Sequence, residues 1–114
     1  MATRELRQKA TTLRALATAS RSLRRSMIAN ADKQLVLTLV KAAREIIKGE
    51  IQLTPAQLRR LRPHERSLGD FISSKSVKSR KKILQKGGFL GVLIGPLLKL
   101  ATGALLNGLG GGKR

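Results

Sequence analysis

Apolar residues recur with helical spacing at the start of the chain. They stand at positions i, i+4, i+7 and i+11, with arginines between them, at Leu6, Ala10, Leu13 and Ala17. This periodicity predicts an amphipathic helix whose apolar side faces a core.

Two polar residues predict where the next helices begin. Ser20 can cap a second short helix, because a serine oxygen accepts a hydrogen bond from a free N–H at a helix start. Asp32, after the break at Asn30, can cap the following helix in the same way. The short helix between them would turn Leu23, Met27 and Ile28 inward.

The widest apolar stripe lies between Lys33 and Lys48. Its members share one side of a helix, and they are Val36, Leu39, Val40, Ala43, Ile46 and Ile47. Gly49 follows at the position where a glycine in the left-handed conformation commonly ends a helix. We therefore expect one helix over residues 33–48.

The second half of the chain predicts three more short helices. Residues 54–57, Thr-Pro-Ala-Gln, have the order of a capping box with proline in the first turn, and the helix should stop before Pro63. Residues 64–72 can form one or two turns that present Leu68, Phe71 and Ile72. A serine at position 74 or 76 can open a last, basic helix that ends at the glycine pair 87–88.

No alternation of apolar and polar residues typical of strands is present, so the predicted fold class is all-α. Charge divides the chain further, because residues 89–109 carry one charge whereas the preceding part is strongly basic. We expect a small bundle of short helices as the body over residues 1–73. A basic helix with its Gly-Gly junction follows over 74–88, then a glycine-rich apolar tail over 89–109 and a flexible end over 110–114.

The composition restricts the chemistry that this chain can perform. Against 24 Lys and Arg there are 6 Asp and Glu, which gives a formal charge of +18 in 114 residues. With no Cys, one His and scattered carboxylates, neither a metal site nor an acid–base pair is predicted. Two Phe without Trp or Tyr argue against surfaces that stack bases. We therefore expect a non-enzymatic protein, without metal or cofactor, that binds an anionic partner.

Two runs of basic residues are the strongest candidate binding sites. The first comprises Arg59, Arg60, Arg62 and Arg66. The second contains no acidic residue and comprises Lys75, Lys78, Arg80, Lys81, Lys82 and Lys86. Positive charge of this density predicts binding to nucleic-acid phosphates or to anionic lipid. Because no motif for reading bases is present, binding to double-stranded DNA should be independent of sequence.

The apolar tail is a candidate membrane segment. Its membrane-contacting residues would be Phe89, Leu90, Val92, Leu93, Ile94, Leu97 and Leu98. The length suits a bilayer span of about 20 residues, but Lys99 near its middle would cost about 3 kcal/mol. A segment that enters membranes reversibly, or that packs in a protein assembly until it is released, fits the composition better than a stable span.

Two other protein classes share parts of this pattern. The first 31 residues are rich in Arg, Ser, Thr and Ala, as mitochondrial presequences are, but the basic character continues through residue 86. A ribosomal protein would also be basic, but the apolar tail is difficult to place on ribosomal RNA. Both interpretations fit the sequence less well than a phosphate-binding protein that belongs to neither class.

Several segments, taken in order, resemble a known family. They are Asn30 to Lys33, Ile47 to Gly49, Leu53 to Gln57, Leu61 to His64 and Lys81 to Leu90, which reads KKILQKGGFL. From about residue 20 to 109 the chain resembles small basic virion core proteins of adintoviruses and related Maverick or Polinton-type elements. Those proteins are regarded as similar to the adenovirus core protein X, also called mu.

The resemblance implies a protein of the virion interior that condenses a double-stranded DNA genome and is in the host nucleus during assembly. It also implies capsid proteins as partners and processing by an adenovirus-type cysteine protease. Residues 85–88 before Phe89 are similar to sites of that protease, which makes Gly87, Gly88 and Phe89 the candidate cleavage site. The alternative function is a membrane-active minor capsid protein whose tail disrupts or anchors to a bilayer during entry.

Overall fold

Helices make up about four fifths of residues 2–103, the part of the chain that the computed structural model describes. The eight α-helices in this range are α1 (Thr3–Gln8), α2 (Ala10–Thr18), α3 (Arg21–Ala29), α4 (Lys33–Ile47), α5 (Pro55–Leu61), α6 (Glu65–Ser73), α7 (Val77–Gly87) and α8 (Phe89–Leu98). A 3₁₀ turn (Arg62–His64) joins α5 to α6, and a π-helical turn (Lys99–Gly103) follows α8. Residues 2–103 contain no β-strand, so the predicted all-α fold class is confirmed.

Side-chain caps confirm four of the predicted helix starts. In each case a side-chain oxygen accepts a hydrogen bond from the backbone N–H three residues further on, at 2.8 to 3.2 Å. The caps are Ser20 for α3, Asp32 for α4, Thr54 for α5 and Ser76 for α7. Gln57 also accepts a hydrogen bond from the Thr54 N–H at 2.8 Å, which completes the predicted capping box.

Two glycines in the left-handed conformation lie at the ends of α4 and α7. The φ angle is +80° at Gly49 and +73° at Gly88. In this conformation other residues are less stable by about 1–2 kcal/mol, which explains why glycine is found at both positions. At Gly88 the chain leaves α7 and enters α8 directly, and the segments on either side meet at an angle of 100°.

The segment predicted to form one helix at the start of the chain forms two helices, α1 and α2. Lys9, with φ of −105°, ends α1 and precedes α2. Within α2, Leu16 is buried whereas Ala17, which the periodicity had placed inward, is exposed. The two positions are about 100° apart around the helix, and the larger leucine occupies the inward one. Leu6 and Leu13 are buried as predicted.

Two apolar residues predicted to face inward are exposed instead. Leu23 is 54% exposed, because Arg24 takes the inward position on α3 and donates to carbonyl oxygens at the C-terminal end of α2. Ile47 is 60% exposed. Its neighbour Ile46, about 100° away around the helix, fills the inward position at the end of α4.

The core is centred on α4, which contacts α1, α6 and α7. Its buried apolar residues are Leu35, Val36, Leu39, Val40, Ala42, Ala43 and Ile46. From α6, Leu68 and Phe71 are buried in the same core, as their spacing predicted. None of these helices is long enough to be stable alone, so shared burial holds them together.

The apolar segment from Phe89 forms α8 and shares this core. It contacts α2, α5 and α7, while the π-helical turn after it contacts α1. The exposed side of α8 includes Gly91 and Gly95. The boundary predicted between residues 88 and 89 therefore lies between two helices of one core. The later part of the predicted tail, residues 104–109, and the predicted flexible end, 110–114, lie outside the described residues.

Two acidic side chains hold the N-terminal segment on α4. The Glu45 carboxylate is buried on α4 and accepts a hydrogen bond from the Ala2 N–H at 2.7 Å. Glu5 of α1 accepts a hydrogen bond from Lys41 of α4 at 2.6 Å. This bond lowers the pKa of the Glu5 carboxyl and raises the pKa of the Lys41 ammonium group.

Candidate nucleic-acid interface

The two predicted basic clusters lie on consecutive elements from α5 to α7. Arg59 and Arg60 are in the last turn of α5, Arg62 is in the 3₁₀ turn and Arg66 is near the start of α6. All four side chains are exposed. Lys75 is exposed between α6 and α7, and the other five cations of the second cluster are on α7.

The basic helix α7 has two different sides. Leu84 is buried, and Val77 is partly buried in contact with the core. On the opposite side, Lys78, Lys82 and Lys86 are exposed. Their spacing of four residues places successive lysines about 6 Å apart along the helix, on one line. We call these three residues the lysine stripe.

Two predicted phosphate-binding residues of α7 are bonded to the protein itself. The Arg80 Nε donates to the Phe71 carbonyl oxygen and its Nη2 donates to that of Ile72, both at 3.1 Å. The Lys81 Nζ donates to the Ala29 carbonyl oxygen at 3.2 Å. These carbonyls lie in the last turns of α6 and α3, where free C=O groups and the helix dipole favour a cation. Both side chains are partly buried and stabilise the packing of α7.

The positive charge of the clusters is not neutralised within residues 2–103. The ion pairs between described residues join Lys9 to Asp32 at 3.7 Å and Lys41 to Glu5 at 2.6 Å. Neither pair includes a residue of the two predicted clusters. The exposed lysines and arginines from α5 to α7 are therefore available to an external anion.

A shallow groove between α6 and α7 runs beside the lysine stripe. Its lining combines donors with one carboxylate, and it consists of Ser67, Asp70, Ser79, Lys82, Ile83 and Lys86. The serine hydroxyls and ammonium groups can donate to a phosphate, but the Asp70 carboxylate repels an anion. Phosphate contacts are therefore more favourable on the outer side of the stripe than inside the groove.

The residues predicted to contact a membrane mostly face the core. Phe89, Leu90, Leu93, Ile94 and Leu97 are each at most 3% exposed, and Val92 and Leu98 are partly buried. Within the described residues, no single helix has the length and apolar character to cross a bilayer. The bent pair formed by Val77–Lys86 and Phe89–Ala101 meets that requirement jointly, by length and composition only.

The candidate cleavage site lies at the junction of α7 and α8. Gly87 is the last residue of α7, Gly88 is exposed in the left-handed conformation and Phe89 is fully buried. Upstream, the Gln85 side-chain N–H donates to the Arg25 carbonyl oxygen at 2.9 Å and ties α7 to α3. A protease that needs this segment extended would have to release both contacts.

Known proteins provide no template for the interface. No protein-family model, curated protein or solved structure matches this chain. The described residues also contain no group of three or more His, Asp or Glu side chains placed to hold a metal ion.

The sequence pattern did not single out a third cationic cluster, on α3. It consists of Arg21, Arg24 and Arg25, whose spacing of i, i+3 and i+4 puts them on neighbouring positions of one helix. The Arg24 Nε donates to the Leu16 carbonyl oxygen at 3.0 Å, and its Nη2 donates to that of Ala19 at 3.4 Å. The spacing could have indicated the cluster, but the carbonyl partners depend on the turn between α2 and α3.

Proposed function

We propose that this chain is a non-enzymatic protein that binds and condenses double-stranded DNA through its phosphates, without reading the base sequence. The observation that carries the proposal is the lysine stripe of α7. Its three ammonium groups are exposed in a line, on a chain of formal charge +18, and none forms an ion pair within the described residues. Such an array suits a polymer of regularly spaced negative charges.

The aromatic residues support binding to phosphates rather than to bases. Both phenylalanines of the chain are fully buried, and it has no Trp or Tyr. Binding by stacking on unpaired bases requires exposed rings, which these residues do not supply. Double-stranded DNA, whose phosphates are on the outside, is the partner that this surface suits best.

The resemblance to adintovirus core proteins supports a place for this activity inside a virus particle. There the protein would neutralise a packaged genome, contact capsid proteins and be a substrate of the viral protease. The membrane-active alternative requires the apolar residues of α8 to leave the core. Their burial therefore favours the DNA-binding proposal over the alternative.

A binding titration tests the proposal. The full chain is titrated onto two short DNA duplexes of unrelated sequence over a range of salt concentrations. We expect equal affinities and a slope of log K against log salt of about −3 if the lysine stripe binds alone, or about −6 if the four arginines of the first cluster also bind. A slope near zero, a strong preference for one duplex, or liposome leakage without DNA binding would contradict the proposal.

A further inference from the structure

A cavity lies between α3, the last turn of α7 and the start of α8. Its volume is about 70 Å³, well above the roughly 15 Å³ that one water molecule requires. Three arginines line it from α3, namely Arg21, Arg24 and Arg25. Leu90 and Gly91 line it from α8, Gly88 from the junction, and Leu84 and Gln85 from the last turn of α7. No carboxylate is present among its described lining residues.

The Arg24 guanidinium is held in place before any ligand arrives. Its bonds to the Leu16 and Ala19 carbonyl oxygens fix Nε and Nη2. The remaining nitrogen, Nη1, lies 3.0 Å from the point that a Cβ atom at position 91 would occupy. Glycine at position 91 thus lets the guanidinium approach the backbone of α8 closely, and one edge of the cavity is rigid and positively charged.

The charges around the cavity are unfavourable without an anion. All three arginines are in the first five residues of α3, where the positive end of the helix dipole disfavours cations. Like charges four positions apart, as at Arg21 and Arg25, also repel one another. The start of α8 adds a second positive helix end with free backbone N–H groups. A bound anion would relieve each of these interactions.

We propose that this cavity is a binding site for a single phosphate group. Guanidinium groups match phosphate oxygens in geometry and can donate two parallel hydrogen bonds to them. The volume suits a group of a few heavy atoms. The phosphate can belong to a DNA strand or be free in solution. The site does not depend on DNA binding by the lysine stripe, because inorganic phosphate alone can test it.

The test follows the backbone amides of Leu90 and Gly91 by NMR in the full chain during titration with inorganic phosphate. Sodium chloride at the same ionic strength is the reference. We expect saturable shifts with phosphate, and at least tenfold weaker binding in the double variant Arg21→Gln/Arg25→Gln. Both side chains are exposed, and the variant keeps Arg24 and its structural bonds. The control Arg7→Gln/Arg14→Gln, which removes two exposed arginines elsewhere, should bind phosphate as the wild type does.

Shifts that do not saturate, that chloride reproduces, or that persist unchanged in the Arg21/Arg25 variant would refute the proposed site.

A second experiment repeats the comparison with a DNA duplex. If a DNA phosphate occupies the cavity, the Arg21/Arg25 variant should lower the magnitude of the salt slope by up to about 2. If the wild type binds phosphate and the variant binds it more weakly, an unchanged slope in the variant would identify free phosphate as the ligand. Phosphate binding without any DNA binding would refute the proposed function and leave the site in place.

Discussion

The rings of Phe71 and Phe89 contact each other in the core, with centroids 5.6 Å apart and planes inclined by 53°. Phe71 belongs to α6 and Phe89 is the first residue of α8. Tilted pairs of this kind are favourable beyond the area they bury. The contact joins the apolar C-terminal segment to the helices that carry the basic clusters. It involves both phenylalanines of the chain, which has no Trp or Tyr.

Removal of the Phe89 ring should strongly destabilise the fold. The side chain is fully buried, so Phe89→Ala should lower the free energy of unfolding by about 3–5 kcal/mol. Val92→Ala in the same helix should cost less than half as much, because Val92 is smaller and only partly buried. Urea unfolding followed by circular dichroism measures both changes. Equal, small losses would mean that α8 is not anchored as described.

Arg80 and Lys78 lie two residues apart on α7 and should behave differently. Arg80→Ala removes two hydrogen bonds to the end of α6 and should cost about 1–2 kcal/mol of unfolding free energy. Lys78→Ala changes an exposed side chain and should stay within about 0.5 kcal/mol. The same urea experiment compares them. A loss at Lys78 as large as that at Arg80 would mean that the bonds from Arg80 to the last turn of α6 do not stabilise the fold.

Two glycine-to-alanine changes should shift stability in opposite directions. A Cβ at position 88 would contact only the His64 ring, at 3.6 Å, so Gly88→Ala is unfavourable through its φ of +73° and should cost about 1–2 kcal/mol. Gly69→Ala, inside α6 with no atom within 4 Å of the new Cβ, should gain up to about 1 kcal/mol. Thermal unfolding gives both values. A gain in stability from Gly88→Ala would contradict the left-handed geometry at the α7–α8 junction, and a loss from Gly69→Ala would contradict the open space beside Gly69.

Cleavage between Gly88 and Phe89 should require local opening of the fold. An adenovirus-type protease should cut the folded chain much more slowly than a peptide spanning residues 81–94, because Phe89 is buried. Leu39→Ala, which weakens the core without changing the site sequence, should speed cleavage of the full chain. Gel analysis of the cleavage time course measures these rates. Equal rates for peptide and folded chain would show that the junction is open in the native state.

Local features of the fold were predictable from the sequence, and contacts between distant segments were not. The caps at Asp32 and Thr54 and the glycine at position 88 depend on a few neighbouring residues, so the pattern indicated them correctly. The burial of Phe89 depends on helices that precede it in the chain, and no short pattern encodes that.

The same distinction applies to the candidate interface. Exposure of Lys78, Lys82 and Lys86 follows from helical spacing once the buried Leu84 defines the inner side of α7. The hydrogen bonds from Arg80 and Lys81 to backbone carbonyls depend instead on how α7 packs on α6 and α3. Charge alone therefore could not separate the cations that face solvent from those that stabilise the fold.

The salt dependence of duplex binding tests the central claim most directly when two variants with equal charge loss are compared. The first removes the lysine stripe by Lys78→Gln, Lys82→Gln and Lys86→Gln. The second removes three exposed cations elsewhere by Arg14→Gln, Lys33→Gln and Lys48→Gln. We expect the first variant to reduce the magnitude of the slope of log K against log salt by about 3, and the second to change it by less than about 1. Equal changes in the two variants, or no change in either, would contradict the account.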